Sequence, residues 1–378
     1  MKRGDLVEKI EELLECYALS TVRIFRGKKM VMLADEKGQL YGISTVRASE
    51  HRTEREYYVK DYLIRQGFVR IDQLVRNEDG RFLTEDKYHT PYLLRHFFNG
   101  PELNVYEMQQ VREGAANLAK LHLSAEGICT YLKEAEDEVK QRCEEEMAAC
   151  EEEEEKEFLQ KQRDAIYYYD ATEEKHEKEG IGAKEWCEGM LLKRDRELKR
   201  IASYMKKMNK KSPFTEQYNH CSGLFLKESA EAMKQIAVLF SEEERLPYGL
   251  LHGNYQHHNV LKTEQGWATI GMEQFRFGPS VVDLYDYVRK VLEKNQYCYE
   301  VVKETLKGYE AGRHLTRAEY KALFLLLSYP EKFWKISNRY YNTKKTWVPP
   351  KMVEKLHKVV EQNQRKRDFL VKFREDYV

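Results

Sequence analysis

No uninterrupted run of 18 or more apolar residues occurs in this 378-residue chain, so no segment reads as a membrane span. Its longest apolar stretch, Ala322 to Leu327, has the length of a core segment. The start, Met1-Lys2-Arg3-Gly4-Asp5, leads into an acidic amphipathic stretch and lacks the apolar core of a signal peptide. Net charge is missing as well. Lys plus Arg number 64 and Asp plus Glu number 64, so the chain as a whole has no pull toward nucleic acid or an anionic membrane. Paired CxxC spacing is absent from the seven cysteines, at positions 16, 129, 143, 150, 187, 221 and 298. An odd, scattered set reads as free thiols in a reducing cytosol and argues against a zinc site. No internal repeat is visible.

The length suggests two domains or lobes. Apolar residues make up 42% and charged residues 34%, on the polar side of the soluble range. The 26 tyrosines outnumber the 15 phenylalanines. That reads as amphipathic packing, with oxidative cross-linking in an assembled shell as the functional alternative.

Apolar spacing predicts a short helix over 5–17, then strands at Thr21 to Phe25, Met30 to Ala34 and Leu40 to Val46. A helix at Glu54 to Gln66, capped by Gly67, and strands at Val69 to Val75 and Pro91 to Phe97 complete a small β-rich lobe over residues 1–97. Residues 98–349 read as a large, mainly helical lobe, and Pro350 to Lys372 as a basic C-terminal helix within 350–378. Within the large lobe, 133–189 is an acidic insertion. Leu132 to Lys161 has a thin apolar stripe that predicts one solvated helix, and Ala165 to Gly189 reads as an irregular, lid-like loop. Leu191 to Lys211 predicts a basic helix. Without an aromatic stacking platform it reads as a solvated face and not a nucleic-acid site.

The most informative stretch is His252-Gly253-Asn254-Tyr255-Gln256-His257-His258-Asn259-Val260-Leu261. It resembles the catalytic loop of protein-kinase and aminoglycoside-kinase enzymes, where His-Gly-Asp, four residues and Asn place a base and a magnesium ligand. Asn259 matches the ligand, whereas Asn254 stands at the base position. An amide is a very poor proton acceptor near neutral pH. Some dozen residues on, Gly271 occupies the metal-binding Asp position, and a hard cation wants carboxylate oxygen there. Glu273, two residues further, would share a face with it on a strand and is the partial replacement. The third strand offers Ser44 or Thr45 in place of a phosphate-pairing Lys, with Arg47 as the nearest cation and Glu54 or Glu56 as its helix partner. Only Gly27 lies in Phe25-Arg26-Gly27-Lys28-Lys29, too little glycine for a phosphate cradle. Ser280 to Asp283 reads as a capping box opening the helix Leu284 to Glu293.

Several segments together resemble the CotS-type spore coat proteins of endospore-forming bacteria. These are Pro91-Tyr92-Leu93-Leu94-Arg95, Asn99-Gly100-Pro101-Glu102-Leu103-Asn104, Ala115 to His122, Lys193 to Arg200, the loop at His252, Asp283-Leu284-Tyr285 with Val288 to Val291, and Tyr329-Pro330-Glu331-Lys332-Phe333-Trp334-Lys335-Ile336 with Arg339-Tyr340-Tyr341. The resemblance covers roughly 20–370, least over the acidic insertion. It implies an α+β, bilobal, protein-kinase-like fold of the aminoglycoside-phosphotransferase type. It also implies synthesis in the mother-cell cytoplasm during sporulation and deposition in the spore coat among other coat proteins. With Asn254 in place of the catalytic Asp and Gly271 in place of the metal-binding Asp, the degenerate loop positions His252, Asn254 and Asn259 imply a pseudokinase acting in coat assembly or as a scaffold, with no cofactor and no metal. The alternative is an active or ATP-binding small-molecule phosphotransferase of the aminoglycoside or choline kinase type. That reading needs ATP and magnesium at Asn259 and Glu273.

Overall fold

The computed structural model describes residues 10, 12–17, 19, 21–27, 30–208, 212–343 and 350–378. Residues 5–9 and 11 of the expected 5–17 helix, Lys28, Lys29 and Lys211 lie outside them. The fold is α+β, with an antiparallel sheet followed by a mainly helical region. By internal contacts the chain divides into two units. One comprises Met1–Asn104, Asn117–Lys178 and Gly249–Phe277, the other Val105–Ala116, Glu179–Tyr248 and Gly278–Val378.

In the first unit, β1 (Thr21–Arg26), β2 (Val31–Asp35), β3 (Leu40–Thr45), β4 (Leu83–Glu85) and β5 (Pro91–Phe97) form an antiparallel sheet in the order β1-β2-β3-β5-β4. Register pairs Tyr41 with His96, Gly42 with Arg95 and Ile43 with Leu94. Directly opposed residues share a face. Tyr41, Ile43 and Leu94 therefore point one way, into a core with Ile10, Leu13, Leu14 and Leu33. Gly42 and Arg95 point the other way. The expected strand at Val69 to Val75 is reduced to isolated bridges at Ile71 and Leu74, because its partners are single residues, Thr269 and Arg95.

Helix α1 (Glu50–Arg65) starts where Ser49 accepts the Arg52 N–H, and it ends at Gln66 before Gly67 at φ +86°. A left-handed residue there is cheapest as glycine, as the sequence suggests. Its buried stripe, Thr53, Glu56, Val59, Lys60 and Leu63, contains two opposite charges one turn apart.

The acidic insertion is more ordered than its composition suggests. The expected single helix is two, Ile128–Ala149 and Glu153–Ala165, broken at Cys150, whose extended backbone (ψ 141°) cannot continue the helix. The expected loop 165–189 instead contains the helix Ala171–Glu179 and the start of Ala183–Lys207. What stops it from being irregular is Glu136, which accepts the backbone N–H of Tyr168 at 2.6 Å and of Tyr169 at 2.9 Å. Tyr168 is buried against Tyr58 and stacks on His51, 5.3 Å between ring centroids.

The second unit is built from long helices, among them Pro213–Leu239, Val281–Lys294, Arg317–Ser328, Glu331–Asn342 and Pro350–Tyr377. Its core stacks Phe214 on Tyr340 and Phe225 on Phe333, at 4.1 and 4.3 Å between centroids. Trp334 donates to Glu197 at 2.9 Å, and Ser229 donates to Asp195 at 2.9 Å. Segments far apart in sequence thus meet in one packed region. The capping box expected at Ser280 does not form. Ser280 already has helical angles (φ −55°, ψ −30°) and makes no side-chain cap bond, and Asp283 is buried in the first turn. The reciprocal capping box lies instead at Thr316 and Glu319.

Candidate active site

The loop at His252 is held by its own polar groups. His252 is fully buried, with Nε2 3.1 Å from the Ile270 carbonyl and Nδ1 accepting the Asn254 N–H at 3.2 Å. Gly253 has φ +79°, and a Cβ there would collide with the Gln274 carbonyl, so glycine is obligatory. The Asn254 side-chain oxygen accepts from Gln256 Nε2. Asn259 Nδ2 donates to the Asn254 carbonyl at 3.0 Å, and the Asn259 carbonyl accepts the Ile270 N–H at 2.9 Å. His252, Asn254 and Asn259 are thus joined by hydrogen bonds, and Gly271 lies beside the Asn259 side chain.

Gly271 sits at φ +78°, in the left-handed region. A Cβ would lie 3.1–3.2 Å from the Asn259 side chain. Its N–H donates to Asp72 Oδ2 at 3.1 Å. Glu273 does not share a strand face with it. The strand ends at Thr269 and residues Met272–Gln274 form a single 3-10 turn, so the two-residue periodicity does not reach Gly271, and Glu273 is exposed.

The charges of this region are enclosed in a cluster of Glu56, Lys60, Asp72 and Arg95, with no lysine on β3. Glu56 on α1 is buried and pairs with Lys60 at 2.7 Å and Arg95 at 3.1 Å. Lys60 also reaches Asp72 Oδ1 at 2.9 Å and donates to the Asp72 carbonyl at 2.6 Å. Arg95 Nε lies 3.9 Å from Asp72 Oδ2. Two carboxylates and two cations are enclosed together. Burial alone would raise the Glu56 pKa, but Lys60 and Arg95 outweigh it and hold it at about 2. Arg95 is pushed up despite burial, by Glu56, Asp72 and Glu273.

The expected cation partners are elsewhere. Arg47 and Thr45 are exposed, and Ser44 is half-buried. Of the two candidate helix acids, Glu56 enters the cluster, whereas Glu54 accepts from the Tyr168 hydroxyl at 2.7 Å. The signals for the missed residues were present in the sequence. Lys60 falls on the apolar stripe of α1, four residues after Glu56, and Arg95 interrupts an apolar strand.

The donor set does not fit magnesium. Gly271 has no side chain, and the Asp72 carboxylate is already engaged by Lys60 and the Gly271 N–H. Among the described residues no group of three or more His, Cys, Asp or Glu side chains is placed to hold a metal ion.

No protein-family model and no curated protein matches the chain. Solved structures do. An aminoglycoside phosphotransferase from Alicyclobacillus acidocaldarius aligns over 97% of this chain and 96% of its own, with TM-score 0.72 and 16% identity. A spectinomycin phosphotransferase in complex with ADP and spectinomycin covers 97% and 99%, with TM-score 0.60 and 12% identity. A microcompartment-associated aminopropanol kinase covers 97% and 98%, with TM-score 0.53 and 14% identity. At such identities the likeness establishes the fold alone, the aminoglycoside-phosphotransferase-like one.

Proposed function

We propose that this chain is a kinase-fold scaffold that does not transfer phosphate, made in the mother cell and assembled with other proteins into the spore coat. The coat assignment rests on the sequence resemblance to CotS-type proteins. The loss of chemistry rests on one observation, the enclosed Glu56–Lys60–Asp72–Arg95 cluster joined to Gly271. Catalysis of phosphoryl transfer is almost entirely charge placement around the phosphates and their metal. Here the charges neutralise one another inside the protein, and the loop in front of them carries amides.

The second reading is a nucleotide-binding phosphotransferase. The alignment with an ADP-bound spectinomycin phosphotransferase over nearly the whole chain favours it. Thermal melting with ATP, with and without magnesium, followed by a phosphate-release assay, separates the two. The scaffold reading expects no turnover above a heat-inactivated control. Magnesium-dependent turnover abolished by Asn259→Ala overturns it. An ATP-dependent rise in melting temperature without product means a binding-only switch.

A further inference from the structure

The zero net charge of the whole chain conceals a separation between its two units. Residues 117–178 carry 19 Asp and Glu against 9 Lys and Arg, whereas the second unit carries 35 Lys and Arg against 26 Asp and Glu. The acidic excess is densest at the start of the helix Glu153–Ala165, and not one of that helix's 13 residues is buried. Phe158 is 54% exposed on it. Glu154 and Glu155 lie one turn before Phe158 and share its face. The helix's own cations are already engaged, Lys156 by Glu153 at 3.2 Å, Lys161 by Glu157 at 2.7 Å and Arg163 by Glu144 at 2.8 Å. Glu154 has no cation within ion-pair distance among the described residues, and Glu155 accepts from the Cys150 thiol.

The second unit presents a groove of about 420 Å³ between the helices Pro213–Leu239 and Pro350–Tyr377. Leu224, Phe324, Leu370 and Val371 give it apolar walls, and Leu224 and Val371 are 38% and 59% exposed. Its charges are Lys227, Lys366, Arg367 and Arg374 against Glu228 and Glu231. Glu228 accepts from Asn363 at 2.8 Å and faces Lys366, which donates to the carbonyls of Ser328 and Tyr329. That leaves Lys227, Arg367 and Arg374 exposed, with Glu231 as the one remaining carboxylate of the groove. None of these three cations has a carboxylate within ion-pair distance among the described residues, and Arg374 lies over the Phe324 ring at 5.8 Å.

We propose that the helix Glu153–Ala165 of one copy docks into this groove on a second copy. Phe158 meets the apolar wall of Leu224, Leu370 and Val371, and Glu154 and Glu155 meet Lys227, Arg367 and Arg374. The lengths agree. From Leu224 to Gln235 the groove runs about 16 Å along its helix, and a helix of 13 residues is about 20 Å long. An amphipathic helix laid in an apolar groove is a recurrent mode of recognition, with single large side chains as anchors. Charge selects the occupant, because a basic helix would meet three uncovered cations and an acidic one neutralises them. The chain supplies each surface once, so the joint is between unlike surfaces of two copies. It stands whether or not the protein transfers phosphate or enters a coat.

Sedimentation velocity of the full chain over a concentration series is the test. At about 50 mM salt the mean mass should rise with concentration above that of one 45.1 kDa copy. At about 0.5 M salt it should fall back toward one copy, because exposed charge pairs are screened. Two double variants change exposed side chains on one surface each. Glu154→Lys with Phe158→Gln disables the helix, and Arg367→Glu with Arg374→Glu disables the groove. Each alone should stay monomeric where the wild type associates, with an unchanged circular dichroism spectrum. Their equimolar mixture should form a one-to-one dimer, since one copy keeps its groove and the other its helix. A wild type that stays monomeric at low salt, association that persists in either variant, or a mixture that stays monomeric overturns the proposal. Melting temperatures lowered equally at every concentration would mean docking within one chain, and overturn it too. The wild-type salt series does not depend on a variant folding.

Discussion

Arg95 on β5 stands directly opposite Gly42 on β3 and reaches Glu56 at 3.1 Å. The strand facing the helix carboxylate therefore supplies no cation of its own. Gly42 leaves its side-chain space to Met30, whose sulfur a Cβ on residue 42 would strike. The charge that pairs with α1 comes from the neighbouring strand and is enclosed. A lysine restored on β3 would have to displace Met30 and compete with an arginine already in place.

Arg95→Leu leaves Glu56 with Lys60 alone and should cost about 3–5 kcal/mol, the range for breaking a buried pair from one side. The shift of the urea midpoint at unchanged slope measures it. The double variant Arg95→Leu with Glu56→Gln should recover part of the loss, since it removes the uncompensated carboxylate. A double variant no better than the single one would mean that packing, and not charge, fixes Arg95.

Acid should unfold the first unit earlier than a protein without this cluster. The folded-state pKa of Glu56 is depressed to about 2, so its stabilisation is complete above the ordinary carboxylate value. It is lost as pH falls from about 4.5 toward 2, and is worth on the order of 3 kcal/mol. Stability against pH, followed by urea melts, should be flatter over that window in Glu56→Gln than in the wild type.

Rebuilding the missing carboxylates should not rebuild the enzyme. Gly271→Asp puts a side chain on a left-handed backbone at φ +78°, with its Cβ 3.1–3.2 Å from Asn259. The strain is roughly 1–2 kcal/mol. Asn254→Asp alone, and Asn254→Asp with Gly271→Asp, should show lower melting temperatures for the second variant and no ATP turnover for either. Turnover by the single variant would show that the Glu56 cluster does not prevent catalysis.

Glu136 ties the tyrosine segment down by accepting two backbone N–H bonds, so Glu136→Ala should free residues 166–179. Leaving buried donors unmade costs about 1–3 kcal/mol. Hydrogen exchange should report it as faster exchange at Tyr168 and Tyr169, with the strands β3 and β5 unchanged.

Much of the small lobe was legible because its determinants are local. Alternating apolar residues and turn signals placed β1, β2, β3 and β5 to within a residue or two, and Gly67 marked the end of α1. The catalytic-loop spacing likewise brought His252, Asn254 and Asn259 into view. The insertion was misread because composition describes solvation and not anchoring. A run of glutamates looks solvated whether or not one of them, Glu136, holds a distant backbone.

The sequence by itself determined the fold class and the chemical identity of the loop: an amide at 254, an amide at 259 and no side chain at 271. Those are properties of single residues at fixed spacing, and no packing can change them. Tertiary structure alone decided where the remaining charges went. Glu56, Lys60, Asp72 and Arg95 come from a helix, the segment after it and a strand, and only the sheet register opposite Gly42 brings them together.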